Sequence, residues 1–409
     1  MRALVVAPQP FFTPRGTPLS VYYRLLVLAE QGVEIDLLTY GDGRDVSIPG
    51  LRIHRISHWP FSAAVRVGPS ALKAFLDVRL FLKTVARLFR NRYDFICAHE
   101  EAAFFCVFLK PVFGFPFVYE MHSSLPQQLL NFAFTRSRLL IGLFRKLEGR
   151  CLTGADVVVT VSASIAEYAS ARMPDRRRQL LIENSMLEPV RFKGENEGSC
   201  PDVVGQGKPA YRVEALPSDR FLIVYAGTLE EYQGVDLLLA SFADVRAERQ
   251  EPFLVVVGGQ PRQVGRYRSM AEELGIEKDC LFIGQVDQSI AREYLAQADL
   301  HVSPRCSGMN APSKIYEQLA SGTPLVATRV LAHTQVLDDQ ICVMVDPSAE
   351  SMAAGMMTVL RNPDGAARTA ERALAHFERE YGRTAYENKV RELLNLVGAA
   401  RSRLPVPED

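Results

Sequence analysis

The sequence predicts an α/β protein of two doubly wound, Rossmann-like domains that face each other across a central cleft. Three observations carry this prediction. Short apolar runs alternate with amphipathic helical patterns along the chain, the pattern of parallel βαβ units. The 409 residues exceed the ~250–300 at which a single core stops growing. A polar, glycine-rich stretch interrupts the alternation near its middle.

In the first half, strands are expected at 3–7, 34–39, 95–98, 117–120 and 157–161. In the second, they are expected at 221–225, 253–257, 281–283, 300–302, 324–327 and 342–345. Several are rich in Val, Ile and Leu on both faces, as buried parallel strands are. These assign residues 1–190 to an N-terminal Rossmann-like domain and 216–375 to a C-terminal one. Residues 191–215 carry Gly, Pro and polar residues and read as a linker with a loop insertion. Residues 376–409 hold a last helix, at 381–399, that crosses back to the first domain, and a loose tail.

Composition narrows the class. Hydrophobic residues make up 48% and charged residues 23%, ordinary for a globular protein able to bury sizeable cores. No apolar run reaches the ~18 uncharged residues of a membrane span. The opening MRALVVAPQP reads as a first buried strand rather than a signal peptide. Seven scattered cysteines form no CxxC pair, which suits a reducing cytoplasm and argues against a zinc site or disulfide framework. Net charge is zero but unevenly spread. Residues 1–190 hold 23 Lys and Arg against 16 Asp and Glu; the remainder holds 24 against 31. The basic half points to an anionic surface or ligand, and no nucleic-acid recognition motif accompanies it.

In doubly wound folds, ligands sit beyond the carboxyl ends of the strands, where loops feed helix N-termini. The most informative such loop is SGMNAPSKIYEQLASGTPLVAT, residues 307–328. Pro312 suits the first position of a helix, and Gly322 suits its end. The N–H groups of Ser313 and Lys314 then form a diphosphate site. Glu317 lies one turn further on the same face, where a carboxylate accepts hydrogen bonds from ribose hydroxyls.

This segment resembles the donor-binding motif of the retaining glycosyltransferases of family 4, which have the GT-B architecture. In that motif two glutamates stand eight positions apart. Glu317 matches the second, whereas Met309 takes the place of the first; neighbouring Asn310 is the candidate substitute. YAGTLEEYQGVDLLL, 225–239, resembles the family's first donor-side loop, with Gly227 beneath the donor. The family's phosphate-binding Arg and Lys fall on Thr228 and Gln233. Lys314, Arg305, Arg262 and Arg15 are the candidates for the missing charge, and the sequence leaves open which one supplies it. FLVVVGGQP, with Gly258, and LFIGQV, ending at Val286, resemble the loops beside the nucleotide base. Ile315 falls within the donor motif. In the first half, PRGTPLSVYYRLLVLAEQGVEIDLLTY resembles the family's glycine-rich loop and helix, with Gly16 against phosphate and acceptor. YEMHSSLP places His122 where the family has a histidine that touches the donor sugar. ADVVVTVSASIAEY and LIENSM resemble later family motifs, so the resemblance spans the chain in order.

The resemblance implies retaining transfer of a sugar from a UDP- or GDP-sugar to a glycan or lipid-linked acceptor, in polysaccharide or glycolipid synthesis. His122 and Glu317 are then the catalytic candidates, and the donor phosphate helps to deprotonate the acceptor. No metal or other cofactor is expected: Asp-x-Asp is absent, and the histidines lack ligand spacing. Two alternatives stand beside this. One is a catalytically weak nucleotide-sugar-binding subunit, favoured by Met309, Thr228 and Gln233. The other is a nucleotide-sugar 2-epimerase of the same architecture. Finally, Arg79, Lys83, Arg87 and Arg90 recur at helical spacing within residues 70–92. Such a basic amphipathic helix lies on an anionic membrane, or covers a sheet with its basic stripe in water. A second basic amphipathic stretch runs from residue 136 to 150.

Overall fold

The computed structural model describes residues 1–13, 16–57, 70–126, 129, 137–193, 216–308 and 311–403. It forms two compact units. One holds Met1–Cys200 with Arg383–Asp409, the other Pro201–Gly382. Most of the expected linker, 194–215, lies outside the described residues, as do Arg15, Met309 and Asn310.

The first unit has a seven-stranded parallel sheet. Its strands are β1 (Arg2–Ala7), β2 (Glu34–Thr39), β3 (Leu51–Arg55), β4 (Phe95–His99), β5 (Phe117–Met121), β6 (Val157–Thr160) and β7 (Gln179–Leu181). The spatial order is β3-β2-β1-β4-β5-β6-β7. The order reverses between β1 and β4, the switch point where doubly wound sheets bind ligands. Two strands went unpredicted. β3 is a half-buried edge strand of mixed polarity, and β7 has only three residues.

Helices cover both faces. α1 (Gly16–Glu30) and the last helix, α13 (Arg383–Arg401), share one core with Val5, Cys97, Val118 and Val159. α2 (Ala71–Arg90), α3 (Ala102–Phe113), α4 (Arg138–Gly154) and α5 (Ala163–Ser170) border the other, around Val6, Ile96, Ala98 and Tyr119. Alternate residues of each strand therefore serve opposite cores, as a period of two requires. Ser70 caps α2 by accepting from the Lys73 amide at 3.1 Å, one of the orphan donors of a helix start.

Three of the four residues in the basic stripe expected on α2 turn partly inward. Lys83 Nζ donates to the Arg55 carbonyl, and Arg87 Nη1 lies 3.6 Å from Asp36 Oδ2. Arg79 stacks its guanidinium over the Phe75 ring at 5.9 Å. Of the four, only Arg90 is exposed. The outward stripe is apolar instead: Phe75, Val78, Leu82 and Phe89. Helical periodicity identified two faces correctly, but the edge of the sheet offers buried acceptors that draw the long basic side chains inward.

The second unit has a six-stranded parallel sheet in the order β10-β9-β8-β11-β12-β13. The strands are β8 (Phe221–Ala226), β9 (Pro252–Val257), β10 (Cys280–Gly284), β11 (Leu300–Ser303), β12 (Leu325–Thr328) and β13 (Val343–Val345). Its helices are α6 (Val235–Glu248), α7 (Pro261–Glu273), α8 (Gln288–Ala296), α9 (Lys314–Ala320), α10 (Leu331–Thr334), α11 (Ala349–Arg361) and α12 (Pro363–Glu380). Here the switch point falls between β8 and β11. The expected boundary at residue 375 cuts α12. That helix belongs wholly to the second unit, held by Ala366, Ala370, Ala373 and Phe377 on its buried face.

Candidate functional site

In the second unit, the loops after β8, β9 and β11 meet at the switch point. Gly227 and Gly258 bring two of them into backbone contact. The Gly227 amide donates to the Val257 carbonyl at 3.0 Å. A Cβ on Gly258, whose φ is 118°, would stand 2.0 Å from the Gly227 carbonyl oxygen. Only glycine fits that position.

Lys314 reaches into the same place. Its Nζ lies 4.4 Å from the centre of the Tyr225 ring, a cation–π arrangement. It donates to Gln233 Oε1 at 3.5 Å, and Gln233 Nε2 donates to Thr228 Oγ1 at 3.2 Å. The two positions that lack the family's cations are thus bonded to each other, and a lysine from α9 stands against them. Burial and the nearby charge of Arg305 lower the Lys314 amine to about 7. Arg305 sits over the Tyr232 ring at 5.0 Å and donates to the Ser307 carbonyl at 2.7 Å. Among the described residues, neither Lys314 nor Arg305 has a carboxylate partner. Arg262 is exposed at the start of α7, and no described contact ties it to this pair.

Three details of the predicted donor loop change. The helix starts at Lys314 with Ser313 as its cap, so Pro312 precedes the cap rather than opening the helix. The Ile315 amide donates to the Pro312 carbonyl at 3.0 Å, and its side chain is wholly buried. Neither is left for a ligand. Glu317 is not a free carboxylate: its Oε1 accepts from Arg292 Nη2 at 2.9 Å and Gln288 Nε2 at 3.2 Å. Both contacts fall on one oxygen. Val286 packs half-buried beside β10.

In the first unit, the ends of β1, β4 and β5 and the start of α1 surround the corresponding switch point. Gly16 opens α1, and a Cβ there would meet nothing within 4 Å. The chain's own packing does not demand glycine at that site. His122, one residue past β5, is buried, and its Nε2 lies 3.0 Å from Nδ1 of His99 at the end of β4. Beneath them Cys97 Sγ is 4.0 Å from His99 Nε2 and donates to Glu120 Oε1 at 3.8 Å. Glu120 in turn pairs with Arg24 Nε of α1 at 2.8 Å, both side chains at most 2% exposed.

The network has a direction. Burial and the Glu120 carboxylate keep the Cys97 thiol protonated, so its hydrogen goes to Glu120. In the Nε2–H tautomer of His99, that nitrogen donates to the sulfur and Nδ1 accepts from His122 Nε2, and His122 then presents Nδ1 as an acceptor. Burial and the Arg24 charge lower His122 to about 3, so it is neutral at physiological pH. His99, Glu120 and His122 place ligand-type atoms within 4.8 Å of one another. Those atoms already serve Arg24 and each other, and a guanidinium beside a carboxylate opposes a divalent ion.

The sequence reading passed over Arg24, His99 and Glu120. It also passed over Glu100, a non-glycine residue at φ 50° just past β4. Both Glu100 oxygens accept from Ser123 Oγ, at 3.2 and 3.3 Å. Burial and the neighbouring Glu101 raise its carboxyl to about 8. A group whose folded pKa exceeds its unfolded value loses its stabilising contribution as pH rises through the folded pKa. The melting temperature of the native protein is therefore expected to fall relative to that of Glu100→Gln between about pH 5 and about pH 9. Scanning calorimetry of both proteins checks this, and parallel profiles would show that Glu100 ionises normally.

The comparisons bear on the fold and the family. The sequence model described as "Glycosyl transferases group 1" matches residues 209–376, and that described as "Glycosyl transferase 4-like domain" matches 25–185. The chain is 27% identical over 374 residues to D-inositol 3-phosphate glycosyltransferase 2 of Catenulispora acidiphila, covering 86% of this chain and 83% of that one. It is 28% identical over 144 residues to phosphatidyl-myo-inositol mannosyltransferase of Mycobacterium leprae, 34% of this chain and 37% of that one. Among solved structures, it resembles a sucrose-phosphate synthase of Thermosynechococcus elongatus, with TM-score 0.72 and 18% identity over 98% of this chain and 100% of the other. It also resembles Anabaena HepE in complex with UDP, with TM-score 0.67 and 15% identity over 97% of this chain and 100% of the other.

Proposed function

Because the chain belongs to the group 1 glycosyltransferases of family 4, with their GT-B fold of two parallel-sheet domains, and acts on a sugar donor, we propose that it transfers the sugar of a UDP- or GDP-sugar with retention to a glycan or lipid-linked acceptor. One observation carries the reading. Lys314 and Arg305 stand at the switch point of the second unit without a carboxylate partner among the described residues. Half-buried cations of this kind call for an anion, and a diphosphate fits the glycine-lined loops beside them.

In this reading, negative charge builds on the leaving diphosphate, and Lys314 and Arg305 take it up, so the reaction needs no metal ion. Ribose hydroxyls donate to Glu317 on the carboxylate oxygen that Arg292 and Gln288 leave unused. His122 accepts a hydroxyl of the transferred sugar at Nδ1, and the donor phosphate helps to take the acceptor proton. Relatives named for inositol phosphate and phosphatidyl-myo-inositol support a polyhydroxylated acceptor, lipid-linked in the second case. This favours work in the cytoplasm at the inner face of the plasma membrane, in cell-surface glycolipid or polysaccharide synthesis.

Calorimetric titration with UDP, GDP and ADP tests the reading. One of the first two is expected to bind, and Glu317→Ala to weaken it by ~1–3 kcal/mol, the size of a lost hydrogen bond to a charged group. If none binds, the nucleotide-sugar reading fails.

A further inference from the structure

α2, α3 and α4 lie side by side over one face of the first unit's sheet. Phe81 of α2 meets Phe105 of α3 with ring centroids 5.5 Å apart, and Phe104 of α3 meets Phe144 of α4 at 6.0 Å. Their inner surfaces build the core beneath them, with Leu76, Leu80, Cys106 and Leu152 buried. Their outer surfaces should be polar, yet they carry many large apolar side chains. Eight of the thirteen large apolar side chains that stand exposed among the described residues are on these three helices.

On α2 they are Phe75, Val78, Leu82 and Phe89, at 46%, 58%, 60% and 76% exposure. With Ala86 the spacing is three or four residues throughout, a single stripe along the helix. α3 adds Phe108 and Val112, one turn apart, the latter 72% exposed. α4 adds Leu139 and Leu143, one turn apart, the former 88% exposed. An apolar surface shared by three adjacent helices marks an interaction site.

Charge selects the partner. Arg90, Arg138, Arg145, Lys146 and Arg150 are exposed on the same helices. The only acids within the three helices are Asp77 and Glu148. Asp77 is half-buried and accepts from Tyr40 Oη, while Glu148 is buried and accepts from Ser124 and Tyr168. The outward surface thus combines protruding apolar groups with cations that no exposed acid on these helices opposes. A protein partner would select a patterned mixture of charges with complementary shape. An anionic bilayer demands only apolar groups that enter the acyl boundary and cations at headgroup level.

We propose that this three-helix face binds an anionic lipid bilayer by inserting Phe75, Leu82, Phe89, Val112 and Leu139 among the lipids. The interaction is not the one that the basic residues of α2 imply on their own, since Lys83 and Arg87 are tied into the protein. It deepens the sugar-transfer reading, because a lipid-linked acceptor is presented at the same kind of surface.

The test is sedimentation of the full chain with phosphatidylglycerol–phosphatidylcholine vesicles, and with phosphatidylcholine alone. The native protein is expected to bind the anionic vesicles preferentially and to be released by salt. Leu82→Ser and Phe89→Ser should each weaken partitioning about tenfold, the effect of withholding one large apolar side chain from the lipid. Arg145→Gln and Lys146→Gln should each weaken it about fivefold and flatten the salt dependence. These positions are exposed, so circular dichroism should stay native-like. Absence of binding, equal binding to neutral vesicles, or native-like binding by the serine variants overturns the proposal. So does self-association of the native chain that the serine variants abolish, which would make a second copy the occupant. Nucleotide titration of the same proteins is read separately: failure there removes the sugar-transfer reading and leaves the vesicle result standing.

Discussion

Lys314→Met is expected to weaken nucleoside diphosphate binding by about 10–100-fold, the range for a lost charge-assisted hydrogen bond in a partly buried site. Methionine keeps the apolar stem against Tyr225 and removes only the ammonium. The pH dependence separates this role from a packing role. In the free protein, burial and then Arg305 hold the Lys314 amine at about 7. A bound diphosphate raises that value, because it favours the charged form. Above about pH 7 the free protein has therefore lost a proton that the complex retains, and binding takes one up. Affinity should fall by up to tenfold per pH unit from about pH 7 until the bound amine itself titrates. Titrations in buffers of different ionisation enthalpy count the proton. Lys314→Arg should bind with no such slope, since guanidinium stays charged throughout. A native protein with flat pH dependence, or Lys314→Met binding as the native does, would remove Lys314 from the phosphate site.

That lysine shows how far the sequence could be read. Among the described residues, the alternation of runs located eleven of the thirteen strands, because buried parallel strands carry their signal in every residue. It missed β3, a half-buried strand whose polar and apolar residues mix, and β7, three residues without an apolar run long enough to stand out. The loop motifs located Gly227, Gly258 and the α9 segment. They left four cations in contention, because a lysine's reach depends on where its helix begins, and here the helix begins at Lys314 itself. The first unit's polar network was partly legible. Arg24 interrupts VYYRLLVLAE, an almost wholly apolar helix, and a lone cation in such a setting is either paired or misplaced. Cys97 and His99 are two apart on β4, and Glu120 and His122 are two apart at the end of β5. Their common face follows from the strand period, but their register, His99 beside Glu120, does not. α2 misled for the same reason: periodicity showed two stripes without saying which one faced water.

Arg24 carries the largest expected effect on stability. Its side chain is 2% exposed and Glu120 is 1% exposed, so each charge depends on the other for its solvation. Arg24→Met leaves a buried carboxylate unpaired and is expected to destabilise the first unit by ~3–5 kcal/mol, the cost of breaking a buried pair from one side. Arg24→Met with Glu120→Gln removes both charges and should recover much of that loss, since an uncharged pair of similar volume needs no compensation. Denaturant unfolding of the two variants at neutral pH checks the difference, and equal destabilisation would mean that packing, not charge, is what Arg24 supplies. The sign with pH follows. Without its partner Glu120 holds its proton to higher pH, a folded value raised above the unfolded one. The single variant should therefore regain stability relative to native as pH falls, while the double variant should not. The same substitution reaches the site. The Arg24 charge is one of the forces that hold His99 and His122 neutral, and the Tyr386 ring of α13 lies 5.4 Å from its guanidinium. Arg24 thus ties α1, β5 and the last helix to the imidazole that presents its acceptor nitrogen, which gives a buried charge a use that an apolar core residue would not have.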